Sequence, residues 1–173
     1  VTTIEPVPSM SVQLDISFRL ARADDLPKLE WYGQYTHFRE VFRRTYREQV
    51  NGTRLMLIAD CNHFPIAQLF MQVGAKKQKR TYFYSFRVME HFRGQGIGSR
   101  LLEEAETIAL AYGYHGATIA AAKNNLRARD LYQRLGYRIV SEDEGRWSYN
   151  DHEGRTRHVH EPCWVLEKRL TMR

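Results

Sequence analysis

Phe92-Arg93-Gly94-Gln95-Gly96-Ile97-Gly98-Ser99-Arg100-Leu101 stands between a segment that reads as strand, Thr81 to Met89, and one that reads as amphipathic helix. Three glycines in that position let backbone N–H groups turn inward with no Cβ in the way. The helix N-terminus behind them adds unsatisfied donors and a partial positive charge, an arrangement suited to a pyrophosphate. Glycine spacing excludes two common phosphate loops. A dinucleotide fingerprint GxGxxG beginning at Gly94 or Gly96 needs glycine where Ser99 or Leu101 stands, and no GK[ST] ending completes a Walker A loop. For the loop taken alone, a tight structural corner is the alternative reading.

Downstream, Ile97, Leu101, Ala105, Ile108, Ala109 and Tyr112 recur at helical period, with Glu103, Glu104 and Glu106 expected to point away and Gly113 closing the helix. Ala117 to Ala122 is a short apolar strand. A second helix follows, with Ala128, Leu131, Tyr132 and Leu135 on its inner face and Gly136 as its stop. Tyr137 to Val140 resumes strand, Glu142 to Arg157 reads as a polar hairpin around Asp151 to Gly154, and His158 to Leu170 as a last strand. Upstream, residues 1–13 form a loose arm and Ser17 to Ala21 a strand. Ala23-Asp24-Asp25-Leu26-Pro27 then starts one or two helices reaching Val50. Leu55 to Ala59 and Ile66 to Val73 are strands joined by an Asp60 to Pro65 turn, and the basic run Lys76 to Arg80 reads as a hydrated turn. The alternation predicts an α/β (α+β) fold, with residues 14–173 forming one domain.

Two segments carry a family resemblance. Arg93-Gly94-Gln95-Gly96-Ile97-Gly98 resembles the R/Q-x-x-G-x-G/A signature of the GNAT superfamily of N-acetyltransferases. Asn125-x-x-Ala128-x-x-Leu131-Tyr132-x-x-x-Gly136-Tyr137 is similar to the family's N-x-x-A-x-x-L-Y-x-x-x-G-F/Y segment. The motifs stand in the family's order, each on the element it requires, and the specific likeness runs from Tyr82 to Tyr137.

The resemblance implies a mixed, twisted sheet of six to seven strands flanked by about four helices, and acetyl-CoA as cosubstrate. It implies that Arg93, Gly94, Gln95, Gly96, Ile97, Gly98 and Ser99 hold the pyrophosphate. The main chain of Phe86, Arg87 and Val88, on a strand splayed from its neighbour, would pair with the pantetheine arm, and Asn125 would hydrogen-bond it. Tyr132 would protonate the departing thiolate. Tyr132 also fits as a core tyrosine, and Asn125 as a helix cap for which Asn124 competes. Many family members use a glutamate base on the central strand, where this chain has Thr81, Tyr82, Tyr84 and Ser85. Glu90 and His91 read as turn residues; Glu161, Tyr82, Tyr84 and a water relay stay open as bases. Trp31, Tyr32, Tyr35, Phe38, Trp147 and Trp164 read as core or as the lining of an acceptor pocket.

Composition narrows the classes. The 173 residues are 43% hydrophobic and 27% charged, enough for a domain with a core rather than a disordered tail or disulfide miniprotein. No window approaches the ~18 to 20 apolar residues of a membrane helix, and the N-terminus lacks a signal-peptide pattern, so a cytoplasmic protein is expected. Cys61 and Cys163 have no partner spacing, and His152, His158, His160 and Cys163 lack the convergent pattern of a metal site, so no metal is expected. The net charge of +6 is modest and interspersed, and no nucleic-acid recognition motif accompanies it. The expected partner is a small-molecule or peptide amine, and a homodimer is compatible with the sequence. A non-catalytic acyl-CoA sensor on the same fold is the alternative function.

Overall fold

In the computed structural model, which describes residues 7–74 and 79–171, a mixed seven-stranded sheet carries helices on both faces. The elements run β1 (Ile16–Leu20), α1 (Arg39–Val50), β2 (Arg54–Cys61), β3 (Phe64–Gln72), β4 (Arg80–Val88), α2 (Ile97–Ala111), β5 (Gly116–Ala122), α3 (Leu126–Arg134), β6 (Arg138–Asp143), β7 (Arg146–Asn150), β8 (Thr156–His160) and β9 (Cys163–Arg169). The sheet order is β1-β2-β3-β4-β5-β9-β6; among the described residues only β4 and β5 pair in parallel, and β7 and β8 form a separate hairpin.

Strand periodicity builds two cores. On β2, Leu55, Leu57 and Ala59 face a cluster that includes Leu101, Leu102 and Ala105 of α2. Met56 and Ile58, one step out of phase, face Phe42 of α1 and Leu29. With both faces covered, β2 and β3 are apolar almost throughout, as doubly buried strands must be. They meet in a two-residue turn in which Asn62 and His63 have φ of 52° and 61°, the twist that continues a right-handed hairpin. The strands therefore run closer to the turn than expected.

Other expectations are corrected. The segment from Ala23 to Phe38 is not α-helical: it makes single 3-10 turns at Ala23–Asp25, Lys28–Glu30 and Thr36–Phe38. Asp25 is drawn to the backbone N–H of Arg22 and to Arg19. Trp31, Tyr32 and Gly33 take left-handed φ of 44°, 57° and 98°, which no α-helix continues through. Glu106 does not face solvent; it is 8% exposed and accepts from the Tyr137 hydroxyl at 3.0 Å and from Lys168 Nζ at 2.8 Å. The last expected strand is two, broken at Glu161 and Pro162, because proline has no N–H for a ladder. Of the basic run, Lys76, Lys77 and Gln78 lie outside the described residues, as do residues 1–6 of the N-terminal arm. No helix among the described residues is long and apolar enough to cross a membrane.

Candidate active site

The site begins with one extra residue. Gln68 of β3 faces Arg87 and Phe70 faces Tyr84, so two steps on β3 answer three on β4. Ser85 absorbs the difference at a φ of 49°, and Gln68, 1% exposed, donates its side-chain N–H to the Ser85 carbonyl at 3.0 Å. A bulge bends its strand and frees part of its ladder. Parallel pairing with β5 runs from Arg80↔Gly116 to Phe83↔Ile119 and stops there. Beyond it, Ser85 to Val88 and Ala120 to Ala122 line opposite sides of a groove of about 1160 Å³. The alanines on β5 are too small to fill it.

The bulge also reverses the side-chain phase of β4. Phe83 packs on the α2 face and Tyr84 on the α1 face. After Ser85, Phe86 and Val88 return to the α2 face, while Arg87 lies against Tyr35 and Phe38 on the other. The same strand therefore presents different chemistry to the two sides of the groove.

On the α2 side, Gly94 and Gly96 have φ of 75° and 83°, and a Cβ at either would meet nothing within 4 Å. Backbone conformation demands these glycines, not lack of space. Gly98 is the opposite case: its φ is ordinary, but a Cβ would lie 3.3 Å from Val88 Cγ2 and 3.4 Å from Phe86 Cζ. Gly96 caps α2, no acidic side chain occupies the helix's first turn, and Ile97 closes the core beneath it. The N–H groups of this turn are left for a ligand. Gln95 and Ser99 flank the turn, and Arg93 folds back so that Nε donates to the Val88 carbonyl at 2.8 Å.

Tyr132 of α3 is 4% exposed and stacks on Phe86 with ring centroids 6.0 Å apart. Its hydroxyl has no hydrogen-bond partner among the described residues. Since none of their fully buried side-chain oxygens or nitrogens lacks a partner, this one opens onto the groove. Burial, with a smaller push from Tyr82, raises the phenol pKa well above its ordinary value, so the group is a protonated donor at neutral pH. Asn125 is the cap of α3, its Oδ1 accepting from the Ala128 N–H at 3.1 Å, and it also lines the groove. The capping and ligand-facing readings of Asn125 are compatible.

On the α1 side the walls are aromatic. Phe38 lies 6.2 Å from Trp147 and 4.9 Å from Tyr149, ring to ring, which ties the β7–β8 hairpin to the groove. Tyr35, Phe38 and Trp147 line it as expected. Trp31 does not: it is buried elsewhere, with Nε1 donating to the Pro65 carbonyl at 2.8 Å. Trp164 is likewise outside, under Arg129, and Tyr32 is exposed and stacked on Phe64. Among base candidates, Glu161, Tyr82 and Tyr84 line the groove and Glu90 and His91 do not. Both tyrosine phenols are pushed up, chiefly by burial, and are poor bases at neutral pH. Among the described residues no group of three or more His, Cys, Asp or Glu is placed to hold a metal ion.

Residues 21–137, spanning the splayed strands, the glycine turn and α3, match the Acetyltransferase (GNAT) family. The chain belongs to this family. Within it, the chain is 36% identical over 69 residues to thialysine N-epsilon-acetyltransferase of Bos taurus, 40% of this chain and 41% of that protein. It is 34% identical over 83 residues to the chloroplastic GCN5-related N-acetyltransferase 4 of Arabidopsis thaliana, 46% of this chain and 28% of that one. These matches thus span less than half of either relative. The GNAT fold is shared with Arabidopsis thaliana NAA60, solved in complex with acetyl-CoA, at a TM-score of 0.68 and 21% identity over 90% of this chain and 99% of that one. It is shared equally with the ribosomal-protein-S18-alanine N-acetyltransferase of Escherichia coli, at a TM-score of 0.70 and 18% identity over 92% and 96%.

Gln68 and Ser85, which make the cleft, carry no motif. The one signal for them is an amide inside the otherwise apolar run Phe64 to Met71.

Proposed function

We propose that residues 14–173 act as one N-acetyltransferase domain that moves acetyl from acetyl-CoA to a primary amine by direct attack in a ternary complex. The observation that carries this reading is the open β4–β5 cleft, bounded by a glycine-capped helix N-terminus and by the hydroxyl of Tyr132, which opens onto the groove and has no hydrogen-bond partner among the described residues. The names of relatives support an amine acceptor, thialysine in one and the alanine of ribosomal protein S18 in another. A cytoplasmic place of action suits Cys61 and Cys163, which are free thiols.

The residues present fit the cosubstrate. The turn from Gly94 to Ser99 offers backbone N–H groups to a pyrophosphate, with Gly94 and Gly96 leaving open space where a ligand approaches; the Arg93 N–H is engaged by the Glu90 carbonyl. Main-chain groups of Phe86, beyond the last β5 pairing, are free to pair with pantetheine amides; Arg87 is paired with Gln68 of β3, and the Val88 carbonyl is engaged by Arg93. Asn125 adds a side-chain amide near the same wall. The thioester supplies an activated acyl group when bound.

The neutral amine attacks the thioester carbonyl, forming the C–N bond while an unpaired N–H of β4 steadies the oxyanion. The C–S bond then breaks and the sulfur takes the Tyr132 proton. The nitrogen's surplus proton leaves through groove water, and Tyr132 is reprotonated from the same water. The burial that weakens Tyr132 as an acid also destabilises a free thiolate in the groove, so the transfer is not penalised on one side only. Calorimetry with acetyl-CoA and release of free thiol with an amine panel test the proposal. Binding that weakens in Gly96→Val, with amine-dependent thiol release, is expected. Binding without release from any amine would select the sensor function instead.

A further inference from the structure

The Arg87 side chain has no task in the scheme above, and its main chain is paired with Gln68 of β3. Its guanidinium carbon sits 4.5 Å from the Tyr35 ring centroid and 4.9 Å from that of Phe38, on the wall of the groove. Among the described residues it makes no hydrogen bond and no ion pair. Burial lowers its pKa, with Tyr35 and Glu161 pulling the other way, and Glu161 acts only through space. The side chain is partly buried, and since no fully buried side-chain nitrogen among the described residues lacks a partner, its N–H groups open onto the groove. Two aromatic faces hold the cation in place but satisfy none of its five N–H donors. A guanidinium kept for packing alone would be expected to meet a carboxylate or carbonyls of its own chain, as Arg19 does with Asp25 and Asp60.

The bulge is what brings it here. With regular alternation from Phe83, Arg87 would share the α2 face; the extra residue at Ser85 turns it to the acceptor side, while its neighbour Phe86 turns to Tyr132. The unpaired cation and the proton donor thus stand on adjacent residues' sides of one groove. Resting on the acetyltransferase reading, we infer that the acceptor is an amine that also carries a carboxylate, received by Arg87 in a charge-assisted, two-bond contact. One free guanidinium with Glu161 in range suits a single negative charge better than a phosphate dianion.

The test uses alanine and lysine against their carboxamides, compared by kcat/KM on the basis of neutral amine. N-acetylalanine and N-acetyllysine are compared with their carboxamides for binding to the protein–CoA complex, which needs no turnover. The carboxylate member should be preferred by about 10- to 100-fold in at least one pair. Arg87→Gln should bring the ratio near one, and Arg87→Lys should keep part of it, with acetyl-CoA affinity measured alongside. Absence of any preference in the unaltered protein, or a preference that Arg87→Gln retains, overturns the inference. The first of these needs no variant to fold. A carboxylate preference in product binding with no turnover of any amine would uphold the anion site and fail the acetyltransferase reading instead.

Discussion

The Tyr132 ring lies nearly parallel to that of Phe86, centroids 6.0 Å apart and planes 21° from one another, and this stack joins α3 to the part of β4 that follows the bulge. Phe86 is on the α2 face only because Ser85 is the extra residue. The position of Tyr132, the proposed proton donor, therefore depends on the same irregularity that opens the cleft. Phe86→Ala should release the ring and lower kcat by about 10- to 100-fold, the scale of a misplacement near 1 Å. Phe86→Leu, which keeps most of the bulk, should lose less. Steady-state kinetics beside thermal melts of both variants check this, and an unchanged kcat in Phe86→Ala would dissociate the stack from catalysis.

Glu106 joins α2 to β9 through Lys168 and to the start of β6 through Tyr137. Removing the carboxylate leaves a largely buried ammonium and a buried phenol without their acceptor. Glu106→Ala should cost about 3 kcal/mol of unfolding free energy, the lower end for breaking a buried pair, since Lys168 keeps some exposure. The double variant Glu106→Leu with Lys168→Met should recover much of that loss. Denaturant titration measures both.

Asp25 sets an acid limit. Burial by itself would raise its pKa, but Arg19 and the Arg22 N–H outweigh that and hold the carboxyl below its ordinary range. Its folded value lies below the unfolded one near ~4, so the stabilisation is fully present above about pH 4 and is lost as pH falls through the folded value. Melting temperature should drop below about pH 4, and less steeply in Asp25→Asn, which cannot titrate. Equal acid slopes in the two proteins would assign the limit to other groups.

What could be read from the chain follows from how local each signal is. The face of α2 and the Asn125 to Tyr137 segment are periodic within one helix, and the glycine turn is contiguous, so residue order alone displays them. Glu106 reads as solvent-facing because its partners are 31 and 62 residues away, and a border position on a helical wheel gives no hint of them. The segment before α1 shows helical spacing of aromatics, yet Trp31 leaves the helical region to reach Pro65, a long-range demand that overrides spacing. Arg87 is the clearest case. Thr81 to Met89 reads as unbroken strand, and only the pairing with β3 reveals the phase reversal that turns the guanidinium toward Tyr35 and Phe38.

The central claim is that acyl transfer occurs where the splayed strands meet Tyr132. Single-turnover acetylation of a good amine acceptor by Tyr132→Phe, at saturating acetyl-CoA where chemistry limits the rate, tests it most directly. The ring and its stack on Phe86 remain and only the proton donor is lost, so the rate should fall by about 10- to 10⁴-fold while acetyl-CoA affinity and melting temperature hold. A full single-turnover rate in Tyr132→Phe would contradict the account, leaving Tyr132 a core residue and the thiolate protonated from elsewhere.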